Sequence, residues 1–312
     1  MERSLHPGME RRADADETSS FVPSLTYDTS HERMGVAPSN EEHSMSEPHV
    51  GTPFAAAPDI HVIPTYWPVP GLGTLPMNAF LLHAEEPTLV DTGTAVLGEP
   101  FLAALGSLID PARLRWIWLT HEDRDHTGSL VRLLELAPDA TVLGTFMSFG
   151  RFSPDGPLPL ERTRIVNAGD RVPVGDRVLE AVRPPIYDSP GTLGLLDCAS
   201  GALFSSDCFG APLPAEAAVA ASTGDVDPLE LRAAQVAWAT TDSPWVTGAD
   251  RDALRADVER VRRLQPSVIL SSHLAPVHRD VGASFDALLA AREAAPAPAP
   301  TQSQVEALLA GV

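Results

Sequence analysis

The sequence predicts a domain of the α/β (α+β) class in which two sheets lie between outer layers of helix. Three observations carry that prediction. Short apolar runs bounded by Gly, Pro and Asp alternate with longer stretches of helical spacing, the pattern of sheets covered by helices. The order of strands, helix, strand and helix, then strands and helices again, divides the chain into two similar halves, with no obvious internal repeat. Four strand ends carry His or Asp, which gathers metal-capable side chains along one edge.

Residues 1–52 are rich in Glu, Asp, Ser, Pro and His and show no sustained periodicity. Such a segment buries too little apolar surface to offset its ordering entropy, so a disordered N-terminal extension is expected. Met9, Met34 and Met45 fall within it, and Met45 is an alternative start. The folded domain is expected over residues 53–294. Ile60–Ile63 and Phe80–Leu82 read as strands, separated by a stiff, turn-rich loop, Trp67-Pro68-Val69-Pro70-Gly71-Leu72-Gly73. Thr88–Val90 is a buried strand running into Asp91-Thr92-Gly93. Leu97–Leu108 has helical spacing, Leu114–Leu119 reads as a strand, and Ser129–Leu136 as a helix with Ser129 at its cap.

Thr141–Leu143 is a further strand, and residues 144–163 read as a mobile loop carrying Phe146, Phe149 and Phe152. Arg164–Val166, Val172–Val174 and Arg177–Val182 are strands broken by Gly-Asp turns. Thr192–Leu196 and Ala202–Ser206 follow, and residues 211–228 are small and flexible in character. Leu229–Ala239 and Ala249–Leu264 are expected helices, Val268–Ser271 a buried strand, and Ser284–Ala294 the closing helix. Residues 295–312 read as a Pro/Ala-rich spacer with a short helix at Val305–Leu309.

Composition excludes several classes of function. The chain has 22 basic and 42 acidic residues, a formal charge of −20, and every basic residue is Arg. Such a surface repels a phosphate backbone, so nucleic acid is not an expected partner. No run approaches the roughly eighteen apolar residues of a membrane span, and no apolar leader is evident. Cys198 and Cys208 are too few for a disulfide framework, which points to a reducing cytoplasm.

The most informative stretch is Trp116-Ile117-Trp118-Leu119-Thr120-His121-Glu122-Asp123-Arg124-Asp125-His126-Thr127-Gly128. An apolar strand ends in a Thr, and the next six residues hold two imidazoles and three carboxylates. Neutral imidazole and carboxylate bind borderline or hard divalent ions, and a short loop aims several of them at one point. Asp188, Asp207 and His273 stand at three further strand ends. Asp91 reads as a buried carboxylate that must be hydrogen-bonded. Cys208 reads as packed, His278 as surface, and His61 and His83 as edge or core residues.

His-x-Asp-x-Asp-His after an apolar strand, preceded by Asp-Thr-Gly, resembles the metallo-β-lactamase superfamily. So do Ser-Pro-Gly-Thr-Leu-Gly-Leu, Leu-Phe-Ser-Ser-Asp and Ile-Leu-Ser-Ser-His, all in consistent order over roughly residues 58–294. The resemblance implies an αββα four-layer sandwich with a dinuclear metal site. The usual signature is His-x-His-x-Asp-His, and two positions depart from it. Asp123 stands where a second His is usual, and Asp188 stands where a His usually precedes the Pro-Gly turn. A carboxylate at the first of these positions is similar to the metallo-β-lactamase-like domain of flavodiiron proteins. Carried over by position, the resemblance implies His121, Asp123, Asp188 and Asp207 around one ion. Asp125, His126, Asp207 and His273 would surround the other, with Asp207 bridging. Asp125 and Asp207 are then the candidate catalytic carboxylates. Asp188 has a second reading as a turn cap in a domain whose first metal site has decayed.

Three imidazoles and four carboxylates form an oxygen-rich set, which favours two iron ions, with manganese or zinc as the alternatives. The function implied is a diiron centre that binds or reduces O2 or NO. Only thirty-nine residues follow His273, and no Gly-rich phosphate loop is present. No flavin site is therefore expected, and electrons would come from an external reductase. The alternative is a dinuclear hydrolase acting on an ester, lactone, thioester or phosphoester, with a metal-bridging water as nucleophile. Residues 144–163 and 211–228, with Trp67, Tyr187 and Trp245, would wall an apolar substrate pocket for it. A third reading keeps the metal for structure alone. The expected partners are a small-molecule substrate or O2/NO, the reductase, and a second copy in a homodimer.

Overall fold

The computed structural model describes residues 47–69, 73–152, 158–295 and 301–310. Residues 1–46, 70–72, 153–157, 296–300 and 311–312 lie outside the described residues, and with them the expected disorder of the first 46 positions and part of the expected loop at 144–163. Among the described residues no helix is long and apolar enough to cross a membrane.

Two sheets form the centre. The first runs through β1 (His49–Val50), β3 (Ile60–Val69), β4 (Gly73–Leu82), β5 (Thr88–Val90), β6 (Trp116–Trp118), β7 (Thr141–Gly144) and β8 (Thr163–Ile165), with β2 (Phe54–Ala57) also paired to β3. The second has the order β13 (Val268–Leu270), β12 (Ala202–Phe204), β11 (Gly194–Asp197), β10 (Arg177–Val182) and β9 (Arg171–Val174). From β5 to β8 the first sheet is parallel, as β12–β13 is in the second. Parallel neighbours send their carboxyl ends to the same edge, and that edge holds the site.

The period-2 alternation of the strands builds the layers. Ile60, Val62, Phe80, Leu82, Val90, Trp118 and Leu143 face Leu179, Ala181, Leu195, Phe204 and Leu270 across the gap between the sheets. Phe80 and Phe204 meet edge to face, their ring centroids 5.3 Å apart. The intervening residues point outward. Leu81, Leu89, Ile117 and Val142 pack under Phe101 and Leu105 of α1 (Gly98–Leu108) and under Leu130 and Leu133. The latter pair belongs to α3 (Leu130–Leu136), which follows the short α2 (Arg124–Thr127). On the other side Leu196, Leu203 and Ile269 pack under α6 (Pro228–Asp242), α7 (Arg251–Arg262) and α8 (Val281–Ala291). The expected αββα sandwich is therefore the observed architecture.

Several local readings change. The segment Trp67–Val69, expected as loop, continues β3, and Gly73 begins β4; the two strands pair in register as far as Val69 opposite Gly73. Pro68 is tolerated there because β1 covers only Thr65 and Tyr66, which leaves Pro68 on an open edge. His49–Val50 falls within the stretch expected to be unstructured and yet forms that edge strand. Residues 144–163 are not simply loop: Phe146–Phe152 forms α4, with Phe152 buried and Phe146 exposed. Residues 211–228 include α5 (Ala215–Ala218) and a 3-10 turn at Thr223–Asp225. Ser129 occupies the cap position of α3, but its hydroxyl is buried without a partner and caps nothing. The last described element is α9 (Gln302–Ala310).

Phe204→Ala would remove the ring at the centre of the inter-sheet layer. A loss of about 3–5 kcal/mol is expected from chemical denaturation. A loss below about 1 kcal/mol would show that this contact does not hold the sheets together.

Candidate metal centre

Each metal-capable side chain is delivered by the end of a strand. β6 feeds His121, Asp123, Asp125 and His126; the loop between β10 and β11 carries Asp188; β12 leads to Asp207, and β13 to His273. Two cross-sheet bonds set the spacing at this edge. Trp118 Nε1 donates to Leu193 O (2.9 Å), and Leu193 N donates to Thr120 O (2.7 Å). Asn78 Nδ2 donates to the carbonyls of Ser271 and Leu274, which locks β4 to the His273 turn. Gly128 allows the motif loop to close, since a Cβ there would lie 2.1 Å from Ala95 N. Three non-glycine residues with positive φ border the site: Asp91 (60°), Ser206 (55°) and Phe209 (69°), a concentration of backbone strain typical of functional sites.

The hydrogen bonds behind the site fix the tautomer of every imidazole. Asp91 is a buried acceptor whose Oδ1 takes Thr120 N–H and whose Oδ2 takes both Thr120 Oγ1–H and His126 Nδ1–H, each at 2.8 Å. With the Thr120 hydroxyl proton thus committed, Thr120 Oγ1 accepts from Ser206 Oγ (3.0 Å). Ser206 Oγ can then only accept from His121 Nδ1 (3.2 Å). His273 Nδ1 donates to Pro76 O (2.8 Å). All three rings therefore turn Nε2 into the site, and those of His121 and His126 are buried with no hydrogen-bond partner. A buried Nε2 without a hydrogen-bond partner is costly unless a proton or a cation binds it.

Around these nitrogens the carboxylates form two groups. His121 Nε2 lies 3.8 Å from Asp123 Oδ2, 3.6 Å from Asp188 Oδ2 and 3.5 Å from Asp207 Oδ2. His126 Nε2 lies 3.4 Å from Asp125 Oδ2 and 3.1 Å from Asp207 Oδ1, and His273 Nε2 lies 3.5 and 3.3 Å from the same two atoms. Asp207 thus shows one oxygen to each group. All seven residues singled out in the sequence come together here. Their donor set suits divalent cations: orphaned imidazole nitrogens and converging carboxylates at ligand-to-ligand spacing.

Protons hold the place of cations in this arrangement. Burial and the neighbouring His126 work against charging His121, but Asp207, Asp123 and Asp188 outweigh them and raise it to about 9. Burial likewise opposes charge on His126 and His273, and the surrounding carboxylates raise both. Burial would push Asp207 up, yet the three imidazoles hold it well below the usual carboxylate range. Asp188 moves the other way, raised chiefly by burial and further by Asp207 and Asp123.

Sequence reasoning missed four contributors. Ser206 and Thr120 carry the hydrogen-bond chain, and ordinary hydroxyls give no sequence signal. Trp238 lies with its ring 4.9 Å from that of His273 and donates Nε1–H to Asp207 O (2.9 Å). Asp242 ends α6 within 4.8 Å of oxygens of Asp188 and Asp207. Its one legible signal is a carboxylate at a helix C-terminus, where the dipole disfavours it. Glu122, named in the motif without a role, accepts from Arg151 (2.8 Å) and Ser189 (2.7 Å) and braces the loop.

A cavity of about 520 Å³ opens beside the motif and is lined by Glu122, Asp123, Arg124, Asp125 and Arg151. It is charged, not the apolar pocket expected, and Arg124 and Arg151 lie on its wall. Tyr187 and Trp245 pack on each other instead, their centroids 5.3 Å apart, with Trp245 Nε1 bonded to Tyr187 O.

The family profile described as ODP family beta lactamase matches residues 75–273. The chain belongs to that family. Diflavin flavoprotein A 1 of Synechocystis sp. is 31% identical over 152 residues, 48% of this chain and 26% of the relative. Anaerobic nitric oxide reductase flavorubredoxin of Salmonella typhi is 28% identical over 134 residues, 43% of this chain and 28% of the relative. The rubredoxin oxygen:oxidoreductase of Desulfovibrio gigas has the same fold over 78% of this chain and 61% of that one, with a TM-score of 0.66 at 17% identity. This ODP-family chain is thus similar to the metallo-β-lactamase-like part of flavodiiron proteins. Its matched segment spans about a quarter of the length of those curated relatives.

An ion must displace the protons that the imidazoles hold, so its affinity should rise with pH. For His121 alone the gain is about tenfold per unit below pH 9, levelling above it. Calorimetry with Zn2+ in buffers of different ionisation enthalpy should show proton release at pH 7; pH-independent affinity would contradict the charge state described. Asp91→Asn leaves one of the partners of the carboxylate unbonded and should weaken Zn2+ binding about 10–100-fold, measured by chelator competition.

Proposed function

We propose that this chain is a dinuclear, iron-favouring metallo-β-lactamase-fold protein that binds or reduces O2 or NO with electrons from an external source. One observation carries the reading: Asp207 presents its two oxygens to two separate groups of imidazole and carboxylate. His121, Asp123, Asp188 and Asp207 Oδ2 would hold one ion; Asp125, His126, His273 and Asp207 Oδ1 would hold the other. Three nitrogens against four carboxylates favour iron or manganese over zinc. A pair of irons held by these residues would supply the electron sharing that reduction of a diatomic gas requires.

The remaining roles belong to the chain. Asp207 spaces the two halves, and the bonds behind the imidazoles keep each Nε2 aimed inward. Asp123 and Asp125 face the charged cavity, which gives a small gas molecule access and offers little to an apolar substrate. Asp125, between His126 and His273, is the candidate group for handling a proton at the cavity side. The relatives support the gas reading: one is named as a nitric oxide reductase, and the solved structure is named as an oxygen:oxidoreductase. Nothing at the site favours the hydrolytic alternative. A cytoplasmic homodimer served by a separate reductase is the setting this reading entails.

Protein purified without added metal should contain two irons per chain, and its reduced form should change its near-ultraviolet spectrum on exposure to O2 or NO. Two zincs together with ester or lactone turnover would overturn the proposal. Asp188→Ala should lower the metal content from two per chain to about one; retention of both would remove Asp188 from the ligand set.

A further inference from the structure

α6 ends on Asp242, and that position has no ordinary structural reason. The C-terminus of a helix carries partial negative charge, so a carboxylate there is disfavoured. Its carboxylate also stands within 4.8 Å of oxygens from both Asp188 and Asp207. Its one side-chain hydrogen bond is from the adjacent Ser243 hydroxyl (3.1 Å), which does not offset two neighbouring carboxylates. The helix is nonetheless held firmly against the site. Trp238, one turn earlier, bonds the Asp207 carbonyl and covers the His273 ring. Gly210 makes room for that indole, since a Cβ there would lie 2.5 Å from Trp238 Nε1 and 2.9 Å from His273 Cβ.

A second observation points into the same space. His121 Nε2 is fully buried and lacks any hydrogen-bond partner. It is aimed at Asp188 Oδ2 and Asp207 Oδ2, two of the three carboxylates that Asp242 completes. Three converging carboxylates and an orphaned nitrogen are what a bound cation satisfies together.

We propose that Asp242 is an additional oxygen ligand of the ion held by His121, Asp123, Asp188 and Asp207. The inference rests on the dinuclear reading above and deepens it. That half of the centre then has four carboxylates and one imidazole, against two carboxylates and two imidazoles in the half around His126 and His273. The two halves differ in charge and hardness. The one at Asp242 selects the harder, more highly charged ion.

The test uses the full chain stripped of metal and titrated with Mn2+ and, separately, Zn2+ against a competing chelator. Wild type is expected to bind two ions. Asp242→Asn should weaken one of them by at least about tenfold and leave the other unchanged, and Asp188→Asn should weaken the same one. The rise in Tm on adding Mn2+ should shrink in Asp242→Asn, whereas a helix-capping role would shift the metal-free and loaded Tm equally. Unchanged affinity for both ions overturns the assignment. Carbodiimide footprinting of the wild type covers the case in which the variant fails to fold. Asp242 should label in the metal-free protein and be protected by Mn2+, with exposed Asp257 as control; equal labelling overturns the proposal. Two bound ions without any reaction with O2 or NO would end the gas-reduction reading and leave Asp242 standing.

Discussion

The site depends on one buried carboxylate that touches no open space. Asp91 takes three hydrogen bonds, one from a backbone amide, one from a hydroxyl and one from an imidazole, and through the hydroxyl it also governs a second imidazole. A carboxylate so enclosed is tolerated because both of its oxygens accept hydrogen bonds. Its left-handed backbone turns the chain out of β5 at the position where Thr120 N–H can reach it. Remove those bonds and the nitrogens of His121 and His126 lose the reason to face inward.

The fold supplies the rest through position. Strands with one face toward the opposite sheet and one toward helices leave no side-chain direction for a polar cluster except beyond the strand ends. The parallel stretch from β5 to β8 and the parallel pair β12–β13 end at the same edge, so loops distant in sequence converge. Cross-sheet bonds from Trp118 and Asn78 hold that edge at a fixed width. The chemistry sits where two rigid layers meet, and its geometry inherits their stiffness.

Much of this was legible in the sequence. The αββα order and the seven converging residues follow from apolar runs ending in His or Asp, because local spacing and strand ends are properties a sequence states directly. The errors have local causes. Prolines disguised the outer half of the β3–β4 hairpin, because an edge strand accepts them where a central strand does not. Gly150 and a cluster of phenylalanines disguised α4. Asp242 escaped because its role depends on where α6 docks, which no periodicity encodes. The hydroxyls of Thr120 and Ser206 escaped because any surface loop carries such residues.

The chain of bonds from His121 through Ser206 and Thr120 to Asp91 has a direction. Each hydrogen points toward the carboxylate, and the carboxylate has no water beyond it: Asp91, Thr120 and Ser206 are all essentially inaccessible. The relay is a blind alley for protons. It can hold one in place, but it cannot draw one from solvent. Any proton consumed at the centre must arrive from the opposite side, where Glu122, Asp123 and Asp125 border the open cavity. The two faces of the site are therefore divided by traffic, one fixed and dry, the other wet and able to exchange.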